Sequence, residues 1–532
     1  MPTRWLSRFK RWVAKPPVAH PFLFAVFPIL FLFARNLEED VVLSELIRPL
    51  AVSIGVVALV TAVGWLMVRN LKAVGLVVAG WTLLFFSYGH VRDGLAGRAI
   101  GGIDLGSDAI LLPVWGGLAV AIVGAVFAFR RRLVGVTRGL NGVAGALVIL
   151  NVVPIAMYRP AAVTVPPPAS SADGGRDGVP NAIRTTGTLP DIYYIVPDRY
   201  GATPMHRRTY GIDTRPFLEF LKSRGFYVAS ESIANYGSTH QSLAASLNMQ
   251  YLHTLLGKNT IPKKPLVYRA LRNPRVVRFL KALGYRYVLS SSYRPMASDP
   301  AADVRIGADH LAGFSQILYS TTVLPALSRV FNVAEEQLDP RRTHWHETLS
   351  QFEEVARTTR SRRPQFVIAH LLLPHEPYVF DRNGRFVTEE EEQRRSWRVR
   401  FGDQVIFVNR KLRELIDTLL ADKRNPPIIV LQPDEGQWPL RYWGRSDEFN
   451  YETASRTELL DKFQIINAYY LPNLRRKALY PSITPVNSFR VIFNHYFNAG
   501  LRLLPDRAYG RKLNPVYHFV EITHLLRAPR KT

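Results

Sequence analysis

Three apolar runs in this chain end in groups able to hold a cation or an anion. Asp191-Ile192-Tyr193-Tyr194-Ile195-Val196 leads to Pro197-Asp198, Leu371-Leu372-Leu373-Pro374 leads to His375, and Ile428-Ile429-Val430-Leu431 leads to Asp434-Glu435-Gly436. A single Asp after a strand is commonly a turn former or a helix cap. Together, at one edge of one sheet, these groups supply oxygen ligands and an imidazole, which is what a divalent cation and an anionic substrate require. Between the first two runs lies Asn235-Tyr236-Gly237-Ser238-Thr239-His240-Gln241-Ser242-Leu243-Ala244-Ala245-Ser246-Leu247, a hydroxyl-rich turn entering an apolar helix. It reads in two ways. Ser238 or Thr239 caps the first free amides, or a hydroxyl at a helix N-terminus, coordinated to a metal, ionises and attacks phosphorus or sulfur. Spacing alone does not separate the two.

The elements that must position these groups alternate in type. Strands are expected over Asp191 to Val196, Gln365 to His370, Ile428 to Leu431 and Phe463 to Tyr470, the last preceded by Lys462. Helices are expected from Thr214 to Gly225 and over 402–420, where Val405, Val408, Leu412, Leu415 and Leu419 recur at helical spacing. Such alternation predicts an α/β domain over 190–532, with a mostly parallel sheet, helices on both faces and ligands at the carboxyl ends of the strands. His240 is expected at the surface. His370 is expected to be a satisfied core group or a support behind the site, and the charged run Glu389 to Arg400 a solvated surface. Trp438 reads equally as a pocket rim or as loop packing, and Asn487 and Arg490 suggest no chemical role.

The first third of the chain is different. Apolar stretches at 20–35, 49–69, 72–89, 108–129 and 139–158 predict a five-helix transmembrane bundle over 1–158. Charges are nearly absent within the stretches and dense between them, which disfavours a soluble helical domain. Arg4, Arg8, Lys10, Arg11, Lys15, Arg69, Lys72, Arg130, Arg131, Arg132 and Arg138 fall on one set of loops. Glu38, Glu39, Asp40, Asp93, Asp104 and Asp108 fall on the other. Positive loops stay inside, so five crossings leave everything after Tyr158 outside. Residues 159–189 read as a Pro/Gly-rich linker stiffened by Val165-Pro166-Pro167-Pro168. The 532 residues carry a formal net charge of +26 and no cysteine, so thiol chemistry, disulfides and zinc–thiolate sites are excluded. The positive balance flanks the apolar segments and matches no nucleic-acid-binding motif, so no nucleic acid is expected as partner. The oligomeric state is not legible.

Residues from about 190 to 500 resemble the sulfatase/alkaline phosphatase superfamily, and most closely its membrane proteins similar to lipoteichoic acid synthases and phosphoethanolamine transferases. The resemblance rests on PDIYYIVPDRYG, RGFYVASESIANYGSTHQSLAASLNMQYL, AHLLLPHEPYVF, IIVLQPDEG and KFQIINAYYLPN…SITPVNSFR. It implies an alkaline phosphatase-like fold with Thr239 as nucleophile and Ser242 nearby. It implies Asp198, Thr239, Asp434 and Glu435 as metal ligands, and His375, Arg199 and Lys462 as substrate-binding residues. Glu435 stands where the family usually has His, and Arg199 where it often has Gly. An all-oxygen ligand set favours one divalent ion of Mn, Mg or Ca over Zn.

The implied activity is transfer of a phospho-substituent, phosphoethanolamine- or phosphoglycerol-like, to a membrane lipid or cell-envelope glycan. The implied location is a bacterial-type cytoplasmic membrane, with the N-terminus cytoplasmic and the catalytic domain periplasmic. Two alternatives stand beside it. One is a sulfatase-like hydrolase of phosphodiesters or sulfate esters. The absence of cysteine and of a C/S-x-P-x-R motif disfavours a true sulfatase. The other is a non-catalytic membrane scaffold with a degenerate site.

Overall fold

The computed structural model describes residues 16–37, 43–96, 98–101, 103–158, 189–257, 264–297, 299–307, 312–331, 339–361, 363–474, 478–511 and 518–527. The basic N-terminus through Lys15, the acidic group Glu38, Glu39 and Asp40, and the linker through residue 188 lie outside the described residues. The chain divides into two compact units, residues 1–160 with 309–340, and residues 161–308 with 341–532.

The first unit is helical. Its helices are α1 His20–Arg35, α2 Ile47–Val68, α3 Leu71–Leu95, α4 Asp108–Ala128 and α5 Leu133–Met157. Among the described residues, four segments are long and apolar enough to cross a membrane: Leu43–Val68, Leu71–Leu95, Asp108–Ala128 and Arg130–Met157. The fifth expected span, α1, is apolar but shorter than these four, so they do not establish the count of five. Its 16 residues, at about 1.5 Å each, reach roughly 24 Å against a hydrocarbon core of about 30 Å. α1 packs against α2, α3 and α5 and buries Ala25, Ile29 and Phe33. Helix ends follow local rules. Arg69 closes α2 in the left-handed region, and the Asn70 side chain caps α3 by accepting the Ala73 N–H at 3.2 Å. Two further helices of this unit come from far along the sequence, α6 Ala312–Thr321 and α7 Leu324–Phe331.

The second unit is built on a seven-stranded sheet. Its strands are β1 Ile192–Pro197, β2 Tyr227–Val228, β3 Arg286–Ser291, β4 Val304–Ile306, β5 Gln365–Leu371, β6 Ile428–Leu431 and β7 Ala468–Tyr470, in the spatial order β2-β7-β6-β1-β5-β3-β4. The sheet is mixed rather than wholly parallel. β1, β3, β4, β5 and β6 pair in parallel, while β7 runs antiparallel to both β6 and β2. All six residues of β1 are buried, as a strand covered on both faces must be. Alternate residues feed two cores. Ile192, Tyr194 and Val196 face Leu243, Leu247 and Phe489. Tyr193 and Ile195 face Val405, Val408 and Leu412 of the amphipathic helix Trp397–Leu419.

The expected strand from Phe463 shortens to β7. Ser455 and Glu458 form a capping box that starts a helix, Arg456–Phe463, so Lys462 sits in a last helical turn. The charged run from Glu389 likewise starts a helix, Glu389–Gln393, with a capping box at Thr388 and Glu391.

Candidate active site

The sheet's register decides which polar groups meet. β1 and β5 pair Val196 with His370 and Pro197 with Leu371, and Asp198 then bonds back through its N–H to the Leu371 carbonyl at 2.9 Å. β6 pairs Leu431 with Ile195, so Asp434 emerges beside Asp198 at the carboxyl edge. Asp198, His370 and Asp434 are all buried, each with a donor atom within 4.8 Å of the others. His370 Nε2 lies 3.4 Å from Asp198 Oδ2. Among the described residues, Asp198 Oδ1, Asp434 Oδ2 and His370 Nε2 are buried without a well-directed hydrogen bond. Unpaired Asp198 Oδ1 and Asp434 Oδ2, with the His370 ring beside them, are what a divalent cation fits, because buried polar atoms left alone are costly.

Two adjacent carboxylates in a buried site cannot both ionise freely. Burial and the charge of Asp198 push Asp434 up to about 6. Burial acts on Asp198 in the same direction, but His375, His370 and Arg199 outweigh it and hold that carboxyl well below the usual range.

Thr239 opens the helix Thr239–Asn248. Ser238 occupies the cap position, and its side chain makes no cap hydrogen bond. The N-terminal amides are therefore left without a side-chain cap, as an anion-binding helix end requires. Thr239 is half-buried and its side chain lies within hydrogen-bonding reach of the Asp434 carboxylate. Ser242 turns away, its hydroxyl donating to the Tyr236 carbonyl at 2.8 Å. The far end of this helix is fixed by Arg490, whose Nε and Nη2 donate to the Met249 carbonyl at 3.0 and 2.8 Å. Asn487 ties down the Leu504–Asp506 loop in the same region. Both residues thus have a structural role that their sequence context did not announce. His240 is half-buried rather than at the surface. Its ring stands edge-on to Tyr268, and burial, with Lys264 and Arg511 adding to it, lowers its pKa to about 3.

Glu435, next to Asp434, is held by two cations. Its Oε2 pairs with Lys462 Nζ at 2.8 Å and its Oε1 lies 3.5 Å from Arg199 Nε. Burial raises Glu435 to about 7, opposed by Lys462, and burial lowers Lys462 to about 8, opposed by Glu435. The ammonium also sits 3.6 Å from the Trp438 ring centroid, a cation–π contact that gives Trp438 more than a packing role. Gly436 makes this possible. Its N–H donates to the Lys462 carbonyl at 2.8 Å, and a Cβ there would overlap the Asp461 carbonyl.

Arg199 is in the left-handed region at φ 62°, which costs a non-glycine residue about 1 kcal/mol. Its backbone N–H donates to Asp434 Oδ1 at 3.2 Å and its guanidinium to Glu376 Oε2 at 2.6 Å. His375, next to Glu376, is partly exposed and close enough to act electrostatically on Asp198.

Sequence reasoning left His370 between a core group and a support behind the site, and the register of two distant strands brings it to the carboxylates. Glu376 drew no attention beside His375.

No protein-family model and no curated protein matches the chain. Among solved structures, the C-terminal periplasmic domain of EcEptC from Escherichia coli aligns with 64% of this chain and 94% of its own, at 12% identity and a TM-score of 0.41. The integral membrane protein lipooligosaccharide phosphoethanolamine transferase A (EptA) from Neisseria meningitidis aligns with 86% of this chain and 89% of its own, at 12% identity and a TM-score of 0.37. A protein in the alkaline phosphatase superfamily from Vibrio parahaemolyticus aligns with 65% and 80%, at 12% identity and a TM-score of 0.39. The chain is similar to each of these in part, and the chemistry of its site stands on its own residues.

Proposed function

We propose that this chain is a membrane-anchored, metal-dependent enzyme that transfers a phospho-substituent, phosphoethanolamine- or phosphoglycerol-like, to a lipid or envelope glycan, with Thr239 as nucleophile. The observation that carries this reading is the convergence of Asp198, His370 and Asp434, with a carboxylate oxygen of each Asp unpaired, beside an uncapped helix N-terminus bearing a hydroxyl. Asp198, Asp434 and His370, with the Thr239 oxygen, would hold one divalent ion. When bound, that ion supplies Lewis acidity that favours the alkoxide and neutralises charge on the substrate phosphate.

The oxygen of Thr239 bonds to the donor's phosphorus, and the donor's ester oxygen departs with a proton. An acceptor hydroxyl then bonds to phosphorus, and Thr239 is released as its hydroxyl. Arg199 and Lys462 offer positive charge to the non-bridging oxygens, His375 a hydrogen bond, and the amides of the Thr239 helix add to them. The preference for Mn, Mg or Ca over Zn rested on Glu435 as an oxygen ligand. With Glu435 paired to Lys462 and His370 beside the carboxylates, the donor set mixes nitrogen and oxygen, which suits Zn²⁺ or Mn²⁺.

The four apolar spans support a membrane protein. With α1 counted as a fifth, shorter crossing, the charge pattern of the loops supports a cytoplasmic N-terminus and a periplasmic α/β unit, so donor and acceptor lie at the periplasmic face of the membrane. The test is direct. Purified protein is assayed with a p-nitrophenyl phosphodiester, and the covalent intermediate is sought by peptide mass spectrometry. A phosphoryl-substituted Thr239 in wild type, absent from Thr239→Ala, is the expected result. Wild-type turnover by Thr239→Ala overturns the mechanism.

A further inference from the structure

The chain leaves the α/β unit after β4 and returns to it at Arg341, and α6 and α7, between those points, belong to the helical unit. They join it at one end of the bundle. Phe314 packs edge-on against Phe33, near the C-terminal end of α1, with ring centroids 5.7 Å apart. The Val323 N–H donates to the Phe85 carbonyl of α3 at 3.0 Å. Arg329 pairs with Asp108, the first residue of α4, at 2.6 Å. Gly89 permits the approach, since a Cβ there would overlap the Ser320 carbonyl and Thr321 Cα.

These contacts fix a depth. At about 1.5 Å per residue, Phe85 and Gly89 lie about 21 and 27 Å along α3 from Leu71, near one boundary of a hydrocarbon core about 30 Å thick. At that level the segment leaves Ile317 and Leu324 each 40% exposed, Val330 59% and Phe331 66%. Apolar side chains unburied by protein, beside an arginine paired at a helix start, fit the boundary between acyl chains and head groups.

We propose that residues 312–331 form an interfacial element seated in the bilayer, so that the chain of the α/β unit returns to the membrane partway through its fold. The occupant of the exposed face is phospholipid. The inference rests on the membrane reading of the helical unit and is independent of the chemistry at Thr239.

The chain contains no cysteine, so single cysteines can be spin-labelled in the full protein reconstituted in phosphatidylethanolamine/phosphatidylglycerol vesicles. Labels at Leu324→Cys and Phe331→Cys are compared with Val120→Cys in α4 and Arg424→Cys, an exposed residue of the α/β unit. The expected result is collision with oxygen favoured over a water-soluble nickel chelate at 324 and 331, as at 120, and the reverse at 424. Gly89→Leu is expected to shift the 331 label toward the aqueous pattern while the 120 label stays unchanged. Aqueous labels at 324 and 331 with a lipid-exposed label at 120 overturn the proposal and leave the membrane reading intact. An aqueous label at 120 overturns both. Labels at 324 and 331 immobilised and shielded from both reagents mean that protein, such as a second copy, covers the face, and this too overturns the proposal.

Discussion

Helix α4 and strand β1 are both strongly apolar, yet they use their side chains in opposite ways. Of the 21 residues of α4 only Leu111 is buried, and Val120 is 73% exposed. All six residues of β1 are buried between two layers of helix. The difference lies in the solvent each requires. A helix satisfies its own backbone and can present apolar side chains to lipid. A strand needs partners on both edges, and in a parallel sheet it needs cover on both faces. The helical unit therefore has no demanding packing over much of its surface. The α/β unit is packed closely enough to hold Asp198, Asp434, Glu435, Lys462, Arg199 and His370 in fixed relation.

That contrast can be tested at several strengths. The largest effect is expected at the site itself. Thr239→Ala should lower turnover by about 10³-fold or more while the protein still partitions into the membrane fraction and binds metal. Loss of membrane partitioning in this variant would mean that the two regions are not separable. Next, Ile195→Ala in the buried strand should destabilise the α/β unit by roughly 2–5 kcal/mol. Val120→Ala should change stability by less than about 0.5 kcal/mol, since lipid replaces the lost contact. Denaturant unfolding in detergent reads both, and equal effects would erase the distinction.

Glu435→Gln sharpens the comparison within the site. As a counter-ion to Lys462 and Arg199, its loss should weaken substrate binding by about 10- to 100-fold, read as a raised KM, with metal stoichiometry unchanged by elemental analysis. Loss of the metal would instead make Glu435 a ligand, as the sequence alone suggested. An effect seen only in acid concerns His206, fully buried against Tyr200 and Phe401. Burial lowers its pKa from 6.5 to about 3. The unfolded chain then binds a proton that the folded one refuses. Stability from this group is present above pH 6.5 and lost as pH falls toward 3, at up to about 1.4 kcal/mol per pH unit. His206→Gln should flatten that acid limb in unfolding titrations.

Much of the fold was legible because it rests on local pattern. The apolar helices, the three strands ending at Asp198, His375 and Asp434, and the helix beginning at Thr239 all follow from spacing over a few residues. Their boundaries moved by a residue or several, and a capping box converted the stretch before β7 into helix. The alternatives for Thr239 could not be separated by spacing, because a cap and a nucleophile ask for the same hydroxyl at the same helix end. The lack of a cap bond from Ser238 became visible only in three dimensions.

The sequence by itself determined the apolar spans, the absence of thiol chemistry and the positions at which acidic groups follow strands, since each is a property of neighbouring residues. The tertiary structure alone decided three things. It put His370 beside Asp198 and Asp434, it paired Glu435 with Lys462 and Arg199, and it returned residues 312–331 to the helical unit. Each depends on the register or docking of segments distant in the chain. No local period encodes which buried charge will find which partner, because that choice is made by the packing of the whole sheet.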